Sequence, residues 1–200
     1  MSEHFIHLAK DKKIYPALSK QQPLELTKRK QVHLQIISSI ISQQLSTKVA
    51  AVIYKRFLNL FSKKTPTPQD ILALPFDTLR GVGLSNSKTN YVRNVCEFFI
   101  ENKVTDSKLH KMEDEELIEF LVQIKGVGRW TAEMILMFTL GREDVFAVDD
   151  LGIQQAMTKL YKLDATNKKE MKNKMLLISA KWKPYRTYAC RYLWQWKDEK

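Results

Sequence analysis

Two adjacent carboxylates, Asp149 and Asp150, close the stretch REDVFAVDD and stand directly before LGIQQAM. In that following segment Ile153, Ala156, Met157 and Leu160 recur at helical spacing. An aspartate at such a point is suited to N-capping, because its side-chain oxygen accepts an N–H from the first turn of the helix. Capping by at least one of the two is a sufficient account of an aspartate in this position. The same placement suits a second task. A carboxylate held against helix amides and the positive end of the dipole is a fixed anion. Such an anion can stabilise a sugar cation, which is the chemistry of N-glycosidic bond cleavage.

Upstream lies IKGVGRWTAE, from Ile124 to Glu133. Gly126 and Gly128 permit the positive φ angles of a tight hairpin, and Val127 between them can point into the core and pin the turn. A helix begins at once, so its first amides and its dipole form a site for a phosphate oxygen. Lys125 and Arg129 flank the turn with positive charge, and glycines without side chains let a DNA backbone approach closely. Thr131, in the first turn, joins this set. The arrangement would hold a duplex without reading its sequence, although an ordinary helix-turn-helix corner accounts for the Gly-Val-Gly alone. In the helix that follows, only Thr131, Glu133 and Thr139 are polar among Trp130, Ala132, Met134, Ile135, Leu136, Met137, Phe138 and Leu140. It is expected to be buried on nearly every side, as a rigid post behind the hairpin.

The elements around these residues read as helices. Val32, Ile36, Ile37, Ile40 and Ile41 form a buried stripe. Ser46 is placed as the N-cap of a helix carrying Val49, Val52, Ile53 and Phe57, and Thr67, Pro68 and Asp70 open another with a capping-box pattern. Pro75 stops that one. A long helix is expected over residues 87–101 and a further one over MEDEELIEFLVQI, with acids in its first turn. The chain is all-α, of about nine or ten helices. LRGVGLSNSK, from Leu79 to Lys88, echoes the hairpin and is read as a helix ending in a glycine cap.

Charge names the partner class. With 33 Lys and Arg against 22 Asp and Glu, the 200-residue chain carries a formal charge of +11. That favours a polyanion, nucleic acid before an anionic membrane surface. The basic residues do not gather on one face of an amphipathic helix, and no apolar run approaches the roughly 20 residues of a membrane span. The two cysteines, Cys96 and Cys190, form no CxxC and read as reduced thiols in apolar helices, which leaves no zinc-finger or iron–sulfur pattern. His4, His7, His33 and His110 show no ligand spacing. With a start that lacks a secretory signal, the cytoplasm is the expected compartment.

LVQIKGVGRWTAEMILM followed by VFAVDDLGI resembles the helix-hairpin-helix DNA glycosylase superfamily, and most nearly its DNA-3-methyladenine glycosylase II, or alkylation-repair, branch. IISQQLSTKVA resembles the segment that enters the minor groove, LRGVGLSNSKTNYVRNV the middle repeat, and KWKPYRTYACRYLWQW the closing motif. The resemblance implies two helical lobes, residues 32–143 with the hairpin and residues 1–31 plus 144–200, and an active-site cleft between them. It implies that Asp150 is the catalytic aspartate and Asp149 the acid before it. Trp130 and Trp194 match aromatics around the extruded base, and one of Gln43, Gln44 and Leu45 matches the wedge that fills the gap in the stack. Met134, placed with them at the base pocket, stands where the best-known member of the branch has a third aromatic, a departure that bears on base preference. Trp130 also occupies the position of the lysine nucleophile in members that cut the backbone, and tryptophan cannot form a Schiff base.

What this implies is a monofunctional glycosylase that flips alkylated, cationic purines such as 3-methyladenine out of double-stranded DNA and hydrolyses their glycosidic bond with water. It further implies a monomer with no cofactor beyond a monovalent cation at the hairpin carbonyls, and too little chain before Val32 for the N-terminal β-domain of some members. The alternative is a non-catalytic helix-hairpin-helix DNA-binding module. Trp182, Pro184 and Tyr185 are assigned to packing, Arg186 to an acid or a phosphate, and the run KLDATNKKEMKNK to a solvated helix face.

Overall fold

The computed structural model describes residues 2–19, 24–63 and 65–198, and every regular element among them is helical. In chain order these are α1 (Glu3–Leu8), α2 (Tyr15–Leu18), α3 (Val32–Ser42), α4 (Thr47–Leu58), α5 (Pro68–Leu72), α6 (Phe76–Gly81) and α7 (Asn86–Glu101). There follow α8 (Asp106–Lys111), α9 (Asp114–Leu121), α10 (Arg129–Phe138), α11 (Leu151–Tyr161), α12 (Lys168–Ser179), a 3-10 turn (Ala180–Trp182) and α13 (Arg186–Asp198). The count exceeds the expected nine or ten because α1, α2, α6 and α8 have only four to six residues. Helices that short complete fewer than two turns and show no periodic stripe.

The chain divides into two compact units, Lys28–Ile135 and Met1–Thr27 with Leu136–Lys200. The second division falls inside α10 rather than at residue 143, and no glycine or proline breaks the run from Arg129 to Leu140.

The Lys28–Ile135 unit is built on α3, whose Val32, Ile36, Ile37, Ile40 and Ile41 are wholly buried and which packs on α4 and α7. From α7 come Val92, Val95, Cys96 and Phe99. Burial pushes the Cys96 thiol up to about 12, which makes it a packing group and not a nucleophile. On α4 the buried face is Ala50, Ile53 and Phe57, while the expected Val49 and Val52 are exposed. The i, i+3, i+7 set anchored on Phe57 excludes those two positions. Local caps are where the sequence placed them: Ser46 accepts the Val49 N–H, and Thr67 and Asp70 form a complete capping box. One cap is not local. The amides of Gln31 and Val32 donate to the Asp106 carboxylate at 2.6 and 3.1 Å, so an aspartate of α8 closes the N-terminus of α3.

In the other unit α11 packs on α13, and Trp182, Tyr192 and Cys190 are buried. Trp182 is core, as assigned. Arg186 is settled in favour of an acid: its Nε donates to Asp144 Oδ1 at 2.6 Å and its Nη2 to Oδ2 at 3.0 Å.

Candidate active site

The hairpin is pinned by contacts from α7. Gly126 has φ 104°, and a β-carbon there would meet the Tyr91 ring at 2.3 Å, so the position excludes any side chain on two counts. Gly128 differs from the expectation. Its φ is not positive, and a β-carbon would meet nothing within 4 Å, so its value lies in leaving the approach to α10 open. Val127 is buried, as the pinning residue should be. The Lys125 carbonyl accepts from Asn94 Nδ2 at 3.1 Å and the Gly126 carbonyl from Gln43 Nε2 at 3.3 Å.

That last bond ties the hairpin to the Gln43–Leu45 segment. Lys88 ties the same segment to α7: its Nζ donates to the carbonyls of Ile41 and Gln43 at 2.8 and 2.7 Å. Desolvation in that position lowers the lysine's pKa. Gln44 takes a left-handed backbone, φ 59°, and its side chain and that of Leu45 are exposed. A non-glycine residue held there costs about 1 to 2 kcal/mol and marks a segment fixed by its surroundings.

Two residues expected at the DNA backbone are otherwise engaged. Arg129 makes a bidentate pair with Glu115, Nη1 to Oε1 at 2.7 Å and Nη2 to Oε2 at 2.9 Å, and its Nε donates to Glu133 at 3.2 Å. Its charge is compensated by two acids, and its role is to join α9 to α10; in turn it pulls the Glu115 carboxyl below its ordinary value. Thr131 is 3% exposed, so its side chain belongs to the core. Lys125 is exposed, as required.

The post behind the hairpin is not buried all round. Its polar Glu133 and Thr139 are buried with Thr131, whereas Trp130 and Phe138 are 41% and 38% exposed and Met134 is half-buried. These three stand at i, i+4 and i+8 and therefore share one face of α10. Phe138 was missed in the sequence, because a continuous apolar run hides which of its members faces outward. Its ring lies 5.7 Å from that of Trp194, and the Arg191 guanidinium is 5.9 Å above it.

Asp150 is the N-cap of α11: its Oδ1 accepts the Ile153 N–H at 2.9 Å. The same oxygen accepts the indole N–H of Trp194 at 2.7 Å, from α13. The carboxylate is thus fixed from two elements, and capping and a second task are compatible. Gly152 is a further residue the sequence did not reveal. A β-carbon there would come within 2.9 Å of the Trp194 ring, so only glycine lets the indole reach Asp150. The loop before Asp150 is moored to the same helix: Thr187 accepts the Val145 amide at 3.0 Å and donates to the Arg142 carbonyl at 2.6 Å. Cys190 Sγ donates to the Val145 carbonyl at 3.8 Å, and Thr187, Cys190 and Trp194 stand at helical spacing, so one face of α13 holds the loop at Arg142, Val145 and Asp150. Asp149, in contrast, is exposed and pairs with Lys172 at 2.5 Å. The adjacent carboxylates are distinguished by their partners.

This chain belongs to the helix-hairpin-helix-GPD superfamily of base excision DNA repair proteins, whose family model matches residues 37–180. It is 34% identical over 186 residues to DNA-3-methyladenine glycosylase 1 of Schizosaccharomyces pombe, covering 92% of this chain and 80% of that one. Among solved structures it is similar to the DNA-3-methyladenine glycosidase of Bacillus halodurans, at TM-score 0.85 and 33% identity over 98% of this chain and 89% of that chain. It is also similar to the S. pombe 3-methyladenine DNA glycosylase in complex with abasic DNA, at TM-score 0.83 and 33% identity over 97% and 96%. No described helix is long and apolar enough to cross a membrane.

Proposed function

We propose that this chain is a monofunctional DNA glycosylase of the DNA-3-methyladenine glycosylase II type, acting as a monomer on double-stranded DNA that contains alkylated purines. The observation that carries the reading is the Asp150 carboxylate, fixed by the Ile153 amide and the Trp194 indole. Likeness to a glycosylase structure bound to abasic DNA, the product such a reaction leaves, supports it.

The damaged nucleotide rotates out of the helix at a cost of a few kcal/mol, while a residue of Gln43–Leu45 fills the vacated space. Lys125, Gly126 and Gly128 hold the backbone beside it, with α10 contributing its N-terminal dipole. Alkylation at N3 or N7 has already made the base cationic, so the glycosidic electron pair leaves with it and no acid need protonate the base. Aromatic faces of Trp130, Trp194 and Phe138 favour an electron-poor base by about 0.5 to 2 kcal/mol. Asp150 stabilises the oxocarbenium-like sugar and orients the water that adds to it with loss of a proton. Trp130 offers no amine, so the backbone is left intact.

A monovalent cation at the hairpin would share the Lys125 and Gly126 carbonyls with Asn94 and Gln43. Carbonyl oxygens are the donor type such an ion takes, and each has a second lone pair beyond the bond it accepts from Asn94 or Gln43. The test is release of free 3-methyladenine and 7-methylguanine from methylated duplex DNA. The wild-type chain and Asp149→Asn are expected to release both bases, and Asp150→Asn neither, with duplex binding retained in all three. Binding without release by the wild-type chain would instead identify a non-catalytic module.

A further inference from the structure

At the opposite end of α11 from Asp150, about 16 Å along the helix at 1.5 Å per residue, lies a cavity of about 600 Å³. Its lining holds five lysines, Lys10, Lys12, Lys13, Lys181 and Lys174, the last paired with Glu170 at 2.7 Å, against one acid within the lining, Asp11. That acid is fully engaged in holding the structure. Its Oδ2 accepts the Tyr161 hydroxyl at 2.7 Å and the Trp182 indole N–H at 3.2 Å, and its Oδ1 accepts the Lys13 amide at 3.0 Å. These bonds anchor the turn between α1 and α2 to the floor of the cavity. Three of the lysines are therefore presented from a fixed frame.

Between the lysines the surface is apolar. Leu163 and Ile178 contribute, with Leu177, which at 73% exposure is the most open large apolar side chain among the described residues. We propose that this cavity docks an acidic peptide segment of a partner protein, with one apolar side chain seated on Leu177 and carboxylates along the lysines. Lysine is a point charge on a flexible stem and follows a carboxylate-bearing chain without demanding the fork geometry that arginine imposes. A nucleotide fits less well. Its base needs a ring face to stack on; Tyr161 and Trp182 are only 8% and 1% exposed, and His7, the third ring of the lining, is engaged with the Lys181 carbonyl at 3.1 Å and the edge of the Tyr185 ring. Duplex DNA offers phosphates but no apolar knob, and would leave Leu177 uncovered. The inference is independent of the glycosylase reading.

The test uses the full chain and a fluorescein-labelled peptide, Glu-Asp-Glu-Leu-Phe-Glu-Asp-Glu, titrated by fluorescence anisotropy. Saturable binding is expected. The double variant Lys12→Glu, Lys13→Glu should weaken it about tenfold or more through charge reversal, and Leu177→Asp by about tenfold through loss of the apolar seat together with repulsion of the acidic peptide. A peptide of equal charge with Ser-Ser in place of Leu-Phe should not saturate. Base release from methylated DNA should be unchanged in every variant. Absence of peptide binding overturns the proposal, as does binding indifferent to Leu177→Asp and to the Ser-Ser replacement. Stoichiometric displacement of the peptide by inorganic tripolyphosphate or by undamaged duplex overturns it too, since the site would then be one for phosphate.

Discussion

Gly-Val-Gly occurs twice in the Lys28–Ile135 unit, and the two copies do different things. At 81–83, Gly83 takes the positive φ, 112°, just past the end of α6, and Ser85 then caps α7 by accepting the Lys88 amide. A β-carbon on Gly83 would make only ordinary contact with Ile53 at 3.4 Å. At 126–128, Gly126 is pressed against Tyr91, and α10 starts directly after Gly128, which has no side chain with which to cap it. The first copy is a helix terminator whose successor is capped from within the protein. In the second, the preceding residue leaves the helix start to something else. The residues beside the tripeptide, rather than the tripeptide, decide how the helix after it begins.

Substitutions can break or sharpen this contrast. Gly126→Ala should lower the stability to urea by about 2 to 5 kcal/mol, from the Tyr91 clash added to the left-handed backbone. Gly83→Ala should cost only about 1 to 2 kcal/mol, since it carries the backbone penalty alone. Equal shifts in the two unfolding midpoints would mean that the turns are interchangeable.

Lys88→Met lies next in size. It leaves the carbonyls of Ile41 and Gln43 without their ammonium, at about 1 to 3 kcal/mol. Base release should fall further than affinity for an abasic duplex, because the Gln43–Leu45 segment is no longer held for base extrusion. Retained release at the wild-type rate would remove Lys88 from that role.

Gly128→Ala should alter stability by no more than about 1 kcal/mol, yet weaken duplex binding. Lys125→Gln should reduce the slope of log affinity against log salt by about 0.9, the share of one phosphate contact. A salt slope identical to wild type would place Lys125 off the DNA.

The smallest effect is titrimetric. His33 contacts the Pro66 carbonyl at 3.0 Å, and burial lowers its pKa from the ordinary 6.5, outweighing the backbone bond and Asp106, which raise it. The fold therefore prefers the neutral ring. Its contribution is full above pH 6.5 and declines as the pH falls below that value toward the lowered one. His4, lowered mainly by burial, acts in the same direction, so His33→Gln should shallow the acid-side loss of stability without abolishing it. An unchanged slope would show that His33 does not titrate between the states.

The sequence by itself determined what short spans control. The α3 stripe, the caps at Ser46 and Thr67, a cap by at least one of Asp149 and Asp150, and the terminator at Gly83 all depend on neighbours within about four residues, where side-chain type and backbone geometry suffice. It also carried the family likeness. Only the tertiary structure decided which charges are available. Arg129 is taken by Glu115, fourteen residues away, Asp149 by Lys172, and α3 is capped by Asp106, more than seventy residues along. The Trp194 bond to Asp150 spans 44 residues and depends on an absent side chain at Gly152. Nor could an apolar run disclose that Trp130, Met134 and Phe138 form its open face. A side chain's partner across the fold is set by the packing of whole helices, and no local pattern encodes it.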